Sequence, residues 1–260
     1  MSGFELSIVT PAFVAGILVL ATHVPLGQEV LRRGIIFIDL AIAQVAGLGV
    51  IAADAMGSEP YGWTVQIVAV GSALVVATIL NWTGKHWPDI QEAIIGVSFV
   101  LAAAASMLLL AENPHGGEHL KELLVGQILW VTADQLWLIA LVYAGCLGLW
   151  YGLSDRMRGV GFYVIFAIVI TASVQLVGVY LVFASLIVPA LATRRIIRQG
   201  LRVAMGYALG VGAYLIGLVS SILWDLPPGP VIVCALAVLA VAASWTIVPR
   251  LADLRAKSRA

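Results

Sequence analysis

Asp39 is the residue in this chain that most needs a chemical explanation, because it sits in the otherwise apolar run GIIFIDLAIA, residues 34 to 43. An unpaired carboxylate in hydrocarbon is costly and persists where it finds a partner or lines a polar path. By the rise of an α-helix, Asp39 lies roughly 9 Å beyond Arg33, below a membrane surface but short of the midplane. Two readings are open: a bond to a neighbouring helix or back to Arg32 or Arg33, or a place in a path. Gln44, roughly 16 Å beyond Arg33, is near the midplane and is either interhelical glue or part of the same path. Ser185 reaches a similar depth, counted back from Arg194, and Gln175 lies toward the far end of that second apolar stretch. Pro189 leaves a backbone carbonyl unpaired one turn earlier, which either kinks its helix or offers an oxygen to a passing ligand. Asp39, Gln44, Gln175, Ser185 and Pro189 are thus the candidate lining of one path.

A second cluster lies between apolar runs, in His115-Gly-Gly-Glu118-His119-Leu-Lys-Glu122. Glu118, His119 and Glu122 share a face if this piece is helical, and imidazole with carboxylate suits zinc or a similar divalent ion. A solvated loop, or a surface that docks another protein, accounts for it equally. His23 and Glu29, flanking Pro25 and Gly27, read as an interfacial break or as a simple membrane exit. Cys146 and Cys234 fall inside apolar stretches and are read as packing residues. The chain contains no HExxH, no Walker lysine motif, no GxSxG and no paired intramembrane aspartates, so no catalytic residue is assigned and ATP hydrolysis is not expected of it.

The elements that position these groups are membrane helices. Hydrophobic residues make up 62% of the 260 positions and charged residues 11%, where a soluble domain has about a quarter charged. Long apolar runs recur throughout, which predicts one transmembrane domain over residues 1–260. The spans are read at 7 to 25, 34 to 53, 62 to 80, 93 to 111, 136 to 152, 160 to 176, 179 to 193, 203 to 223 and 230 to 249. The first is read as a retained span rather than a signal peptide. Each is a helix, since runs of about 17 to 20 apolar residues fit a helical crossing and lack the alternation of barrel strands. With the N-terminus outside and sides alternating, thirteen of the fourteen basic residues fall on the inner side, and Lys121 alone falls outside. The positive-inside rule then makes the inner face and the C-terminus cytoplasmic. Both ends of the stretch from Arg158 to Arg194 must be cytoplasmic, so it is read as a hairpin turning near Gly178, two short spans or one span and a partly re-entrant helix. LLVGQILWVT, residues 123 to 132, is too short to cross and is placed at the outer interface with Trp130 as anchor. Net charge is zero and argues against a nucleic-acid partner.

Three segments resemble the permease subunits of the bacterial ABC importers for zinc, manganese or iron, the ABC-3 family. VLRRGIIFIDLAIAQVAGLGV, residues 30 to 50, is similar to that family's Arg-Arg signature leading into its second helix, with Asp39 in the place of its Asp. QLVGVYLVFASLIVPALATRR, residues 175 to 195, matches in Gly178, Pro189, Ala192 and Thr193. DLPPGPVIV, residues 225 to 233, matches the turn before the last helix, and EAIIGVSF (92 to 99) and LLVGQILWV (123 to 131) add weaker support.

The resemblance implies an all-α helical bundle of eight or nine spans, of the type II ABC importer kind, in the bacterial inner membrane. It also implies an import permease working as a homodimer in the lipid, a separate cytoplasmic ATPase carrying ATP and magnesium, and a periplasmic or lipid-anchored metal-binding protein. It implies no cofactor in this chain, with a divalent metal as substrate, zinc first and manganese or iron next. The chain departs from the family where Asp-Ala-Leu-Ser-His is replaced by Asp39-Leu-Ala-Ile-Ala-Gln44, which removes an imidazole. Its inner loop at 153 to 159 is also short, so either the dock there is reduced or contact falls to the loops at 81 to 92 and 194 to 202; the basic groups expected to meet the ATPase are Arg156, Arg158, Arg194 and Arg195. A permease for metal chelates and an ion-gradient carrier are the rival readings.

Overall fold

The computed structural model describes residues 3–57, 62–111, 116–152 and 158–257. Its helices are α1 (Gly3–Arg33), α2 (Ile38–Ala55), α3 (Trp63–His86), α4 (Gln91–Leu110), α5 (Gly116–Val125), α6 (Ala133–Gly152), α7 (Arg158–Val177), α8 (Val179–Thr193), α9 (Gln199–Trp224) and α10 (Pro228–Lys257), with short 3-10 turns at Pro88–Ile90 and Ile128–Trp130. Every predicted span coincides with one of these helices. Seven of them, among the described residues, are long and apolar enough to cross a membrane, while α8 and the apolar part of α10 are shorter. α1 continues through Pro25 and Gly27 to Arg33, so His23 and Glu29 mark no interfacial break.

Burial sorts the helices by what they face. Two-thirds of the apolar stretch of α7 is buried in the protein, against 11% for α6 and 17% for α4. The large exposed side chains of α3, α4 and α6, such as Ile67, Val100, Leu108 and Trp137, present apolar surface to lipid. Inside, helices meet through small residues, since lipid chains are as apolar as leucine and close packing must supply the attraction. Gly16 receives the ring of Tyr214, Gly210 receives Leu20, and Gly27 lies against the backbone of Leu186. These contacts bind α1 to α8 and α9, while α2 packs mainly on α3 and α4, and α7 touches both groups.

The hairpin expected between Arg158 and Arg194 consists of α7 and α8 with Gly178 alone between them. Gly178 has φ 80° and ψ 162°, a region open essentially to glycine. Its N–H closes α7 on the Val174 carbonyl at 2.8 Å, and its carbonyl accepts from Val182 N–H at 3.1 Å to start α8. α8 is 15 residues long, about 22 Å at the helical rise, which is short of the roughly 30 Å of bilayer hydrocarbon. It survives because protein covers it: eleven of its residues are buried, and α1, α9 and α10 pack around it.

The segment after α5 lies across the end of the bundle opposite the arginines. Leu123 seats on Gly47 of α2, Gly126 (φ 76°) meets the backbone of Val177 and Gly178, and Gly229 at the start of α10 meets the Val125 carbonyl. Gly126, Gly178 and Gly229, from three separate segments, thus meet at one joint where a Cβ on any of the three would collide with backbone, and Gly47 adds α2 to it through the Leu123 side chain. Ile128 is buried and Trp130 is exposed, as an interfacial segment requires.

Gly178→Ala is expected to destabilise the protein by at least the ~1–3 kcal/mol of the strained backbone region, with the collision against Gly126 added. Gly71→Ala, at a helical position with open space around it, should leave the thermal unfolding temperature in detergent unchanged; equal effects from both would remove the joint from the account.

Candidate functional site

Asp39 is the second residue of α2 and is fully buried. Neither of its carboxylate oxygens meets a side-chain hydrogen-bond donor. The polar groups that do turn toward it are the N–H groups of Asp39 itself and of Leu40, at the open start of the helix. There the helix carries partial positive charge, which favours an anion without neutralising it. The reading in which Asp39 curls back onto Arg32 or Arg33 is corrected here. Both arginines turn the other way, to Glu29, with Arg32 Nη2 and Arg33 Nε each 2.6 Å from its Oε1. One helical turn holds all three, by (i, i+3) and (i, i+4) spacing. Arg33 also lies over the ring of Phe162 on α7, at 4.3 Å.

The chain between α1 and α2 is held from α4. The N–H of Ile36 donates to Glu92 Oε1 at 2.6 Å, while Glu92 Oε2 is buried and has no hydrogen-bond partner. The corner at residues 36 to 39 thus carries Asp39 and is met by Glu92 from α4, and three of their four carboxylate oxygens have no hydrogen-bond partner. Phe37 stacks on Phe183 of α8 at 6.3 Å and brings α8 alongside this corner. Gln44 is 2% exposed on α2, about 140° around the helix from Asp39. One turn further, Gly47 takes Leu123, so the far side of α2 is covered just beyond Gln44.

The two predicted α8 residues occupy a different setting. Ser185 and Tyr214 are both fully buried and share a hydrogen bond of 2.9 Å, which fastens α8 to α9. Pro189, one turn on, removes the donor that would bond the Ser185 carbonyl. The carbonyl of Pro189 itself accepts from Thr193 Oγ1 at 2.8 Å. Gln175, near the end of α7, accepts a hydrogen bond from Gln66 of α3 at 2.6 Å. The five candidates thus fall into an α2 group, Asp39 and Gln44, an α8 group, Ser185 and Pro189, and Gln175 at the end away from the arginines.

Of the second cluster, His115 lies outside the described residues, and His119 is described in backbone only. Glu118 and Glu122 are exposed on α5. No group of three or more His, Cys, Asp or Glu side chains comes together among the described residues. Of the four arginines, Arg156 lies outside the described residues and Arg158 opens α7 with only its backbone described. Arg194 and Arg195 are exposed beyond α8, at the same end of the α7–α8 hairpin as Arg158. Arg194 Nη1 donates to the Leu191 carbonyl at 2.9 Å.

Three participants escaped the sequence reading: Glu92, Gln66 and Tyr214. Gln66 is a lone amide in the apolar run WTVQIVAV, the same signal that drew attention to Gln44. Glu92 stands before an apolar run and reads as a membrane exit; only the fold shows its carboxylate turned inward. Tyr214, between glycines in GVGAYLIG, carries no pattern of its own.

A bundle of apolar helices on a short buried hairpin, with an unpaired carboxylate at the start of a buried helix, defines a polytopic membrane protein with a buried acid inside its bundle. The profile of the ABC 3 transport family matches residues 5–151 and 149–247, and the chain belongs to that family. It is 26% identical over 243 residues to a manganese transport system membrane protein, MntC, of Halalkalibacterium halodurans, covering 85% of this chain and 81% of that one. It is 24% identical over 249 residues to a probable metal transport system membrane protein of Thermotoga maritima, covering 88% and 86%. Its fold is similar to a chain of PsaBC from Streptococcus pneumoniae in complex with Fab, with a TM-score of 0.74 at 20% identity over 91% of this chain and 90% of that one. A putative metal-chelate type ABC transporter in an inward-facing conformation gives 0.69 at 15% identity, over 91% and 85%.

Glu92→Ala leaves the Ile36 N–H without its charged acceptor, worth about 1.5–3 kcal/mol. It should lower the unfolding temperature in detergent, while Glu92→Gln, which keeps an acceptor oxygen, should retain most of it. Equal losses would show that the Ile36 bond contributes nothing.

Proposed function

We propose that this permease carries a divalent transition-metal ion into the bacterial cytoplasm, as a homodimer driven by a separate ATPase and fed by an exported metal-binding protein. The observation that carries the proposal is Asp39, a buried carboxylate with both oxygens unbonded at the open start of α2. A cation passing the α2 corner gives that carboxylate the counter-charge it lacks. The ligands need only be weak, since a tight site would hold the ion.

The donor chemistry narrows the cargo. Ala43 stands one helical turn beyond Asp39 and Gln44 follows it, so the groups on α2 are a carboxylate and an amide with no imidazole. Carboxylate, carbonyl and water suit manganese, whereas imidazole suits zinc. This favours manganese over the zinc expected from the sequence, and manganese is also the ion in the name of the relative from Halalkalibacterium halodurans. Zinc and iron remain substrates of the same class.

The arginine-bearing end is assigned to the cytoplasm by the positive-inside rule, which places the C-terminus there. At this end the exposed corner after α8, with Arg194 and Arg195, is assigned with Arg156 and Arg158 to the ATPase contact. A push on that corner acts on α8 directly, and α8 joins α1, α9 and α10 to the glycine joint at the far end. Transport is then a rigid-body switch between two packings rather than chemistry on the ion.

Asp39→Asn keeps the shape of the side chain and removes its charge, so it should assemble normally and lower manganese uptake at least tenfold. An unchanged uptake rate would assign Asp39 to structure. Deleting the partner ATPase should abolish uptake, whereas uptake that persists would reverse the reading in favour of a gradient-driven carrier.

A further inference from the structure

The glycine joint is overlain by a cleft of about 340 Å³, on the end of the molecule away from the arginines. Its lining includes Gly126 of the joint and Pro228, the residue before Gly229. Glu122, Gln127 and Trp130 line the same cleft. Glu122 projects from the last turn of α5 and is exposed; it meets no cation among the described residues. Trp130 is 77% exposed. A carboxylate, an amide and an exposed indole lining one cleft are complementary to a planar cation that bonds through its edge and stacks through its face. The guanidinium of arginine is that group, whereas an ammonium offers the charge without the plane.

The charge of the whole end agrees. The described side chains exposed there include the acids Asp54, Glu122, Asp134 and Asp225 and the cation Lys121. Such a surface speeds the approach of a basic partner and raises the local concentration of cations. Trp130 as a membrane-interface anchor accounts for its exposure but not for its sharing a cleft with Glu122.

We infer that the cleft between Glu122 and Trp130 receives an arginine from a loop of the metal-binding protein, and that this contact seats the binding protein over the glycine joint. The inference rests on the reading of the chain as a binding-protein-dependent importer. The seated arginine touches Gly126, whose backbone is in contact with Gly178 at the head of α8. Docking is therefore delivered to the helix whose other end carries Arg194 and Arg195.

The test uses the permease–ATPase complex in nanodiscs and the metal-loaded binding protein as probe, with affinity and stimulation of ATP hydrolysis both measured. Glu122→Lys should weaken binding at least tenfold and Trp130→Ala at least threefold, at unchanged thermal stability. Asp134→Lys, on the same end but outside the cleft, should change binding less than threefold. One Arg→Glu variant in a scan of the binding protein's surface arginines should restore binding to Glu122→Lys. Parental affinity in both cleft variants would overturn the inference and leave the importer reading standing. Loss of stability with unchanged affinity in Trp130→Ala would do the same and assign the indole to the lipid interface. A parental complex that neither binds nor responds to the binding protein would overturn the importer reading and the inference with it.

Discussion

Backbone contact between Gly126 and Gly178 is the constraint on which the rest of this fold depends. A 15-residue helix cannot span a bilayer unaided, and it can turn back after α7 without exposing polar backbone to lipid only if its turn is covered. The cover is the segment after α5, brought to van der Waals contact because neither chain carries a side chain at the meeting point. Gly229 adds α10 to the same point and Leu123 adds α2. Everything α8 positions, including the Ser185–Tyr214 bond and the corner with Arg194, inherits its placement from that joint.

The treatment of charge within the helices follows one logic with two outcomes. Glu29 is given two guanidinium partners in its own helix and costs little. Asp39, a short distance along the chain, is given none, and Glu92 is left with one oxygen bonded and one not. A buried charge without a partner is expensive. Placing it beside the open start of α2 reduces that cost without removing the demand for a counter-ion. The two acids nearest the arginines are thus separated by role: one closes the end of α1, the other waits at the start of α2.

Much of this was legible in the sequence because hydrocarbon imposes length and sidedness together. Nine apolar runs and thirteen basic residues on one side determine the helix order, and Gly178 marks the turn because no other residue tolerates its backbone angles. The α2 group was legible for the same reason: Asp39 and Gln44 stand out where every neighbour is apolar. What stayed hidden was tertiary. Nothing in EAIIGVSF says that Glu92 reaches back to the Ile36 N–H, and nothing around Ser185 says that Tyr214 shares its hydroxyl. The three glycine segments were visible one by one. That they meet is a property of the fold.

α8 has a further consequence for how the molecule senses its surroundings. Its neighbours bury it along nearly its whole length, and its ends are fixed by a glycine and an arginine corner rather than by two headgroup layers. Hydrophobic mismatch therefore acts on the rim helices α3, α4 and α6, which meet lipid, and reaches α8 only through them. The helix at the centre of the permease is insulated from bilayer thickness, so membranes of different acyl length would tilt the rim while leaving the inner lever at constant length.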